Sequence, residues 1–250
     1  MYELEEYVDL KKGNIPLILS VPHGGSMECE VIPKRVNGVL GTDLNTKSLA
    51  LKLISEIKLI SQKQSMQPKE PSYIILKVKR SKIDLNREVN QAFINNSQLA
   101  NRIYHFYHNQ LKELIFSNIK QFNRSLLIDI HGFEKNRRPP GYRNVEIVLG
   151  TDNLRALFKE MIPKIDWSNN IRGELIEKFS ELGIEIAPGH PRRKEYVLTG
   201  GFITKQYGAS QIPGSQALQI EFSDTIRYKD FTLRKKVIKT IAEIICKNIF

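Results

Sequence analysis

Two short apolar segments, each ending at a histidine that is followed by glycine, constrain the fold of this chain most strongly. Residues 17–21 read LILSV and lead into His23, and residues 126–130 read LLIDI and lead into His131. Apolar runs of this length, bounded by glycine or proline, are typical of buried β-strands. Because the carboxyl ends of strands in an open α/β sheet face the ligand crevice, we expect both histidines at that edge.

Strand-type and helix-type segments alternate along the chain, which predicts an α/β fold. Helical apolar spacing is clearest over 44–60 and 231–249, and Ser97 is a candidate cap for a long helix between them. The chain has no internal repeat, and 61–71 reads as a polar loop. We therefore expect a single domain over residues 1–250, with three layers and helices on both faces of a mixed, mostly parallel sheet. The other predicted elements are strands at 15–21, 73–78, 126–130, 145–149, 184–187 and 217–222, and helices at 97–115, 154–161 and 169–182, the last capped by Ser168 and stopped by Gly183.

Composition narrows the classes of function. The 250-residue chain has no apolar run long enough to span a membrane, and its acidic N-terminus lacks the pattern of a signal peptide, so we expect a cytoplasmic protein. Its two cysteines form no CxxC pair, which excludes a disulfide framework and a zinc ribbon. The net charge of +11 favours an anionic partner. Basic runs of three occur only at 192–194 and 234–236, and this spread is typical of a solvated surface.

The two strand-end histidines are candidate metal ligands. Imidazole suits zinc, although both rings are alternatively explained as hydrogen-bonded residues packed beneath loops. A catalytic zinc site takes three protein ligands and keeps a fourth position open. The sequence leaves the third ligand undecided between Asp43, at the predicted start of the first helix, and Glu28 or Glu30 after His23.

Five other titratable residues are assigned to supporting, catalytic or surface positions. Asp129 lies two residues before His131 and is expected to orient that ring. Glu221 stands within an apolar strand, where a carboxylate is costly, so it is either a general base or a salt-bridged core residue. His105 and His108 are predicted to lie on the surface of the long helix. His190, in a charged loop, is a weak candidate for substrate binding.

The segment IDLNR follows the second predicted strand and is suited to binding a carboxylate. Arg87 offers a planar fork of donors and Asn86 adds another, although an exposed turn with a chance ion pair would look the same. Gly200 and Gly201 form a pair that permits close approach of a substrate. No glycine-rich spacing typical of nucleotide binding is present.

Six segments, in this order, resemble the N-formylglutamate amidohydrolase family, which is related in fold to zinc carboxypeptidases and aspartoacylase-like deacylases. They are SVPHGG at 20–25, DLNR at 84–87, LIDIHG at 127–132, GGFI at 200–203, YG at 207–208 and QIE at 219–221. The resemblance implies a phosphorylase/hydrolase-like α/β fold that holds one Zn²⁺. The roles it implies are metal ligand for His23, Asp43 and His131, substrate binding for Asn86, Arg87, Gly200 and Gly201, and acid/base catalysis for Glu221.

The sequence therefore predicts a metal-dependent amidohydrolase that cleaves the amide bond of an N-formyl or N-acyl amino acid with zinc-activated water. The expected partner is a small amide that carries a carboxylate. Two alternatives remain open. One is a hydrolase acting on aminoacylated RNA, which would use the +11 charge and the basic run at 192–194. The other is a non-catalytic binding module on the same fold.

Overall fold

One mixed sheet forms the centre of the molecule. The computed structural model describes residues 4–63, 69–138, 142–196 and 198–249. The strands are β1 (Val8–Lys11), β2 (Leu17–Val21), β3 (Ser72–Leu76), β4 (Ser125–Phe133), β5 (Ile147–Gly150), β6 (Ile186–Ala187) and β7 (Ser215–Ser223). They lie in the order β1-β3-β2-β4-β7-β5-β6. Only the pairings of β1 with β3 and of β5 with β7 are antiparallel among these strands, so the predicted mixed, mostly parallel sheet is confirmed.

Helices cover both faces of the sheet. They are α1 (Thr46–Gln62), α2 (Val89–Ala92), α3 (Gln98–Phe122), α4 (Ile171–Glu181), α5 (Phe202–Tyr207) and α6 (Phe231–Ile249), with short 3₁₀ segments at Leu4–Glu6, Lys135–Arg137 and Lys164–Ser168 and a π-helical turn at Thr225–Lys229. The apolar sides of α1, α4 and α6 share one core with the sheet. Those of α3 and α5 share the core on the opposite face. The predicted three-layer arrangement is therefore confirmed.

Strand β2 is apolar at every position except Ser20, and both of its faces are buried. In β2, Leu17, Leu19 and Val21 enter the core beneath α1 and α6, whereas Ile18 enters the core beneath α3. Strands covered on both sides read as continuous rather than alternating apolar runs. This is why the sequence signal for β2 is strong.

The pairing register of the strands determines which residues meet at the carboxyl edge of the sheet. Strands β2 and β4 are parallel neighbours, with Ser20 opposite Asp129, so both chains reach the same edge together. Strand β7 continues the sheet beside β4 and places Glu221 opposite His131. His131 and the half-buried Glu221, which belong to distant segments, thus become neighbours.

Local structure departs from the predicted elements in three places. The predicted helix at 154–161 is a series of turns, because Asp152, Asn153 and Leu154 have φ of 52°, 53° and 75°. Asn170, not Ser168, caps α4, and its side chain accepts from two backbone N–H groups. The edge strand β1 was not predicted, since its four residues, VDLK, range from buried Val8 to exposed Lys11 and give little apolar signal.

Two smaller points concern the surface. Helix α1 ends at Gln62, and the centre of the predicted loop, residues 64–68, lies outside the described residues. Within the described part of the chain, no helix combines the length and apolar character that crossing a membrane requires.

Candidate metal centre

Three buried side chains converge at the carboxyl edge of β2 and β4: His23, Asp43 and His131. The two Nδ1 atoms lie 3.0 Å apart. Asp43 Oδ2 lies 3.5 Å from Nδ1 of His23 and 3.3 Å from Nδ1 of His131. Donor atoms about 2.0–2.1 Å from one tetrahedral ion stand about 3.3–3.4 Å apart. Two imidazoles and a carboxylate at these separations therefore fit one zinc ion with a fourth position left for another ligand.

The alternative third ligands lie elsewhere. Glu28 forms ion pairs with Lys79 and Lys34, and Glu30 is exposed. Neither belongs to the cluster that the described residues form. Of the three carboxylates left open by the sequence, Asp43 alone stands with the histidines.

Backbone contacts bring Asp43 to the strand ends. Its N–H donates to the carbonyl of His23 at 3.0 Å. Its Oδ2 accepts from the N–H of Gly132 at 3.1 Å. Arg227, buried behind Gly132, donates to the carbonyl of Leu44 at 2.6 Å and so holds the same segment. A Cβ on Gly132 would stand 2.4 Å from Arg227 Nε, so this position needs glycine for close approach.

Each ligand histidine has a carboxylate behind it. Nε2 of His23 donates to Asp84 at 2.6 Å, and Nε2 of His131 donates to Asp129 at 2.8 Å. With the proton on Nε2, the Nδ1 lone pairs face each other and Asp43. Carboxylate partners of this kind fix the tautomer and make imidazole a better ligand. The expected orienting role of Asp129 fits this contact.

The carboxylates behind the histidines are themselves held in place. Ser20 Oγ donates to Asp129 at 2.8 Å and stands 3.0 Å from the hydroxyl of Tyr107. Arg80 Nε donates to Asp84 at 3.2 Å. This extended network is buried, so it pre-organises the centre rather than adapting to a ligand.

The electrostatics of the metal-free cluster follow from these contacts. Burial lowers the pKa of His131, but the charge of Asp129 and the hydrogen bonds to Asp129 and Asp43 together outweigh it and hold that pKa well above the usual value. Burial raises the pKa of Asp43, but hydrogen bonds from His131 and His23 outweigh it and hold the pKa well below the usual value. A metal ion entering here would displace a proton, because ligand imidazole must be neutral.

Glu221 faces the same centre from β7. It lies directly opposite His131 in the pairing of β4 with β7, and its Oε1 accepts from Nε2 of Gln219 at 2.7 Å. Burial raises the pKa of Glu221, and the nearby charge of His131 only partly offsets that effect. A carboxyl with a raised pKa next to a candidate metal position is suited to taking up and releasing a proton.

Asn86 enters the centre from the loop after β3. Its Oδ1 accepts from the N–H of Ile203 at 2.8 Å, and its Nδ2 lies 3.3 Å from Nε2 of His131. A Cβ on Gly201 would lie 2.0 Å from that Nδ2, so only glycine fits there. Gly200 adopts φ of 103°, a left-handed conformation suited to glycine. Gly201 thus leaves room for the side chain of Asn86, and the role of both glycines in substrate binding stays a prediction.

Arginines line the β3 side of the centre. Arg87 is about half exposed, with Nε 3.8 Å from Asp84 Oδ2, and it lines an open cleft of about 550 Å³ together with Arg35. Arg80 was not singled out from the sequence, yet its guanidinium lies 3.5 Å from Asp43 Oδ1. Asp84, which belongs to the same IDLNR segment as Arg87, is hydrogen-bonded to His23.

Comparison with known proteins gives a relationship by fold. No protein-family model matches the chain. No curated protein matches it by sequence. The chain aligns with a solved N-formylglutamate amidohydrolase from Ralstonia eutropha JMP134 over 97% of its length and 98% of that protein, with a TM-score of 0.66 at 15% identity. The fold is similar to that of an N-formylglutamate amidohydrolase. The likeness in fold that the sequence motifs predict is therefore confirmed.

A second solved structure supports the same assignment of fold. The gene product Atu2144 from Agrobacterium tumefaciens aligns with 97% of this chain and 92% of its own, with a TM-score of 0.58 at 13% identity. The likeness in both cases extends over nearly the whole of each chain. At these identities it concerns the fold alone.

The remaining histidines divide between core and surface. His105 is exposed, as predicted. The surface prediction for His108 is wrong: it is buried, with Nδ1 2.9 Å from the hydroxyl of Tyr207 and Nε2 3.1 Å from the carbonyl of Leu85. Burial lowers the pKa of His108 to about 4, so it is neutral at physiological pH. His190 is exposed and its Nδ1 accepts from a backbone N–H of its own loop.

Proposed function

We propose that this protein is a zinc-dependent amidohydrolase that cleaves the amide bond of an N-acyl amino acid. One observation carries the proposal: three buried donor atoms converge at 3.0–3.5 Å beside the half-buried carboxyl group of Glu221, whose pKa is raised. The likeness in fold to an N-formylglutamate amidohydrolase supports it. We further propose that residues 1–250 act as one domain.

His23, Asp43 and His131 would hold the metal. When bound, Zn²⁺ supplies a Lewis acid that polarises a carbonyl and acidifies water. Asp84 and Asp129 keep the two imidazole rings in the tautomer that leaves Nδ1 free. The buried network behind them maintains that geometry without reorganisation.

Glu221 would move the proton. Its carboxylate takes a proton from the attacking water and passes it to the departing amine nitrogen, so one group acts as base and then as acid. Gln219 holds one oxygen of this carboxylate and leaves the other free for the transfer. Because burial favours the protonated form, the proton is retained long enough to be delivered.

Arg87 and Asn86 would orient the substrate. The exposed guanidinium of Arg87 is available for a bidentate contact with the substrate carboxylate, and Arg80 adds positive charge nearer the metal position. Fixing the carboxylate at this end places the amide carbonyl at the centre of the edge. Such positioning lowers the entropic part of the barrier.

Metal analysis of the purified protein, combined with a panel of N-acyl amino acids, tests the proposal. We expect close to one equivalent of zinc, release of free amino acid from members of the panel, loss of activity with a chelator, and recovery when zinc is added back. Bound zinc without turnover of any N-acyl amino acid would indicate a binding module instead. A protein that hydrolyses these amides at full rate without metal would contradict the ligand assignment.

Replacing Arg87 with lysine tests the carboxylate contact. We expect KM for N-acyl amino acids to rise about ten-fold with kcat little changed, because lysine keeps the charge but loses the planar fork. The KM for the corresponding amino acid amides, which lack the carboxylate, should not change. Arg102→Lys, an exposed arginine on α3, is the matched control. Equal KM values for Arg87→Lys and the wild-type protein would place the contact elsewhere.

A further inference from the structure

A second pocket lies beyond Glu221, away from the metal ligands. It has a volume of about 310 Å³ and a predominantly apolar lining that includes Tyr142, Val148 and Leu198. Arg138 and Arg193 also line it. We call it the distal pocket. None of its lining residues belongs to the metal cluster, and neither the motifs nor the fold comparison assigns it a role.

The distal pocket adjoins the acid/base residue. Val148 on β5 is the antiparallel partner of Glu221 on β7. Directly opposed residues of an antiparallel pair project from the same face, so the wall of the pocket begins beside this carboxyl group. Burial lowers the pKa of Arg138, and the negative charge of Glu221 opposes that shift, which places the two groups within electrostatic reach.

The pocket carries unbalanced positive charge. Arg138, Arg143, Arg193 and Lys194 line it, and none of them forms an ion pair with a carboxylate in the described ranges of the chain. The one acidic lining residue, Glu195, is buried and already engaged. A pocket with apolar walls and several cations that form no ion pair suits an apolar group that ends in an anion.

Buried contacts hold in place the loop that carries the basic run at 192–194. Arg172 pairs with Glu195 at 2.8 Å and donates to the carbonyls of Pro191 and Arg193 at 2.9 and 2.8 Å. Glu195 also accepts from the hydroxyl of Thr151 at 2.6 Å. Because this anchoring lies behind the loop, the pocket exists before any ligand enters it.

The order of groups along the sheet edge gives the direction of the substrate. Arg87 follows β3, His23 follows β2, His131 lies on β4, Glu221 lies on β7, and the distal pocket begins at β5. In the proposed binding mode, the substrate carboxylate lies at Arg87 and the amide carbonyl lies at the metal position. The acyl group then extends past Glu221 into the pocket. A formyl group has only two non-hydrogen atoms and is little larger than a water molecule, whose volume is about 30 Å³.

We infer that the distal pocket binds the acyl group of the substrate, and that this group is a bulky apolar or aromatic chain with a terminal carboxylate rather than formyl. The inference rests on the proposed amide hydrolysis for its direction. It concerns the acyl side of the substrate, which the proposed contact between Arg87 and the substrate carboxylate does not involve.

Calorimetric binding to metal-free protein tests the pocket without catalysis. The probes are 4-carboxyphenylacetate, phenylacetate and formate. We expect 4-carboxyphenylacetate to bind at least about ten-fold more tightly than phenylacetate, and formate not measurably, because only the first ends in an anion on an apolar body. The double variant Arg143→Gln/Arg193→Gln should abolish that preference.

The matched control is Arg155→Gln/Arg192→Gln, which removes the same charge from exposed positions that do not line the pocket. It should bind 4-carboxyphenylacetate like the wild-type protein. Equal binding by the two double variants would overturn the inference, since the anion would then respond to net charge alone.

Turnover separates this inference from the proposed function. With zinc bound, we expect kcat/KM for an N-(4-carboxyphenylacetyl) amino acid to exceed that for the N-formyl derivative by at least about 100-fold. Preference for the N-formyl derivative would overturn the inference and leave the amidohydrolase intact. Variant-sensitive binding of 4-carboxyphenylacetate without hydrolysis of any amide would support the pocket and contradict the proposed function.

Discussion

His131→Ala is expected to lose zinc and to retain less than about 1% of the wild-type kcat/KM. Replacing even the groups that orient a ligand typically costs about 10–100-fold in metal affinity or activity, so loss of a ligand should cost more. The variant removes one of three donors and leaves Asp43 and Asp129 facing a cavity without the imidazole between them. The measurements are zinc content by mass spectrometry and hydrolysis of the best N-acyl amino acid.

His105→Ala is the matched control, because His105 is an exposed histidine on α3 that lies apart from the cluster. It should keep both zinc and activity. The far-ultraviolet circular dichroism of His131→Ala should resemble that of the wild-type protein, since the helices and the sheet do not depend on this ring. Full zinc content and full activity in His131→Ala would contradict the assignment of the centre.

The strand-end histidines could be predicted because their signal is local. An apolar run that stops just before His23 or His131 is visible in a few residues, and parallel strands bring the ends of such runs to one edge. Asp43 was less certain. Its place depends on contacts with His23, Gly132 and Arg227, which are distant in sequence and become neighbours only after folding.

Other parts of the site had no usable signal. Arg80 lies in a basic stretch like many others in this chain, and only the fold brings it to Asp43. His108 sits at the edge of the apolar stripe of α3, where helical spacing gives no clear answer. Tyr207 of α5 covers it, and that contact comes from a segment far along the chain. Long-range packing therefore determines the positions of both residues.

Glu221→Gln is expected to keep zinc and lose activity by about 10²–10⁴-fold in kcat, the range for removal of a positioned general acid or base. Glutamine has the same shape and can still accept the hydrogen bond from Gln219 through its amide oxygen. It cannot take a proton from water. KM should change little, because the proposed contact with the substrate carboxylate, at Arg87, lies at the other end of the site.

The same variant separates the two interpretations that the sequence left open. No lysine or arginine among the described residues lies within ion-pair distance of Glu221, whereas burial raises its pKa and so favours the neutral form. Glutamine resembles that neutral form, so the melting temperature of metal-free Glu221→Gln should equal or exceed that of the wild-type protein. Glu177→Gln, at an exposed position on α4, should change neither the melting temperature nor kcat. A less stable Glu221→Gln protein with normal activity would instead identify Glu221 as a structural residue, because a carboxylate that serves only the fold contributes to unfolding free energy and not to turnover.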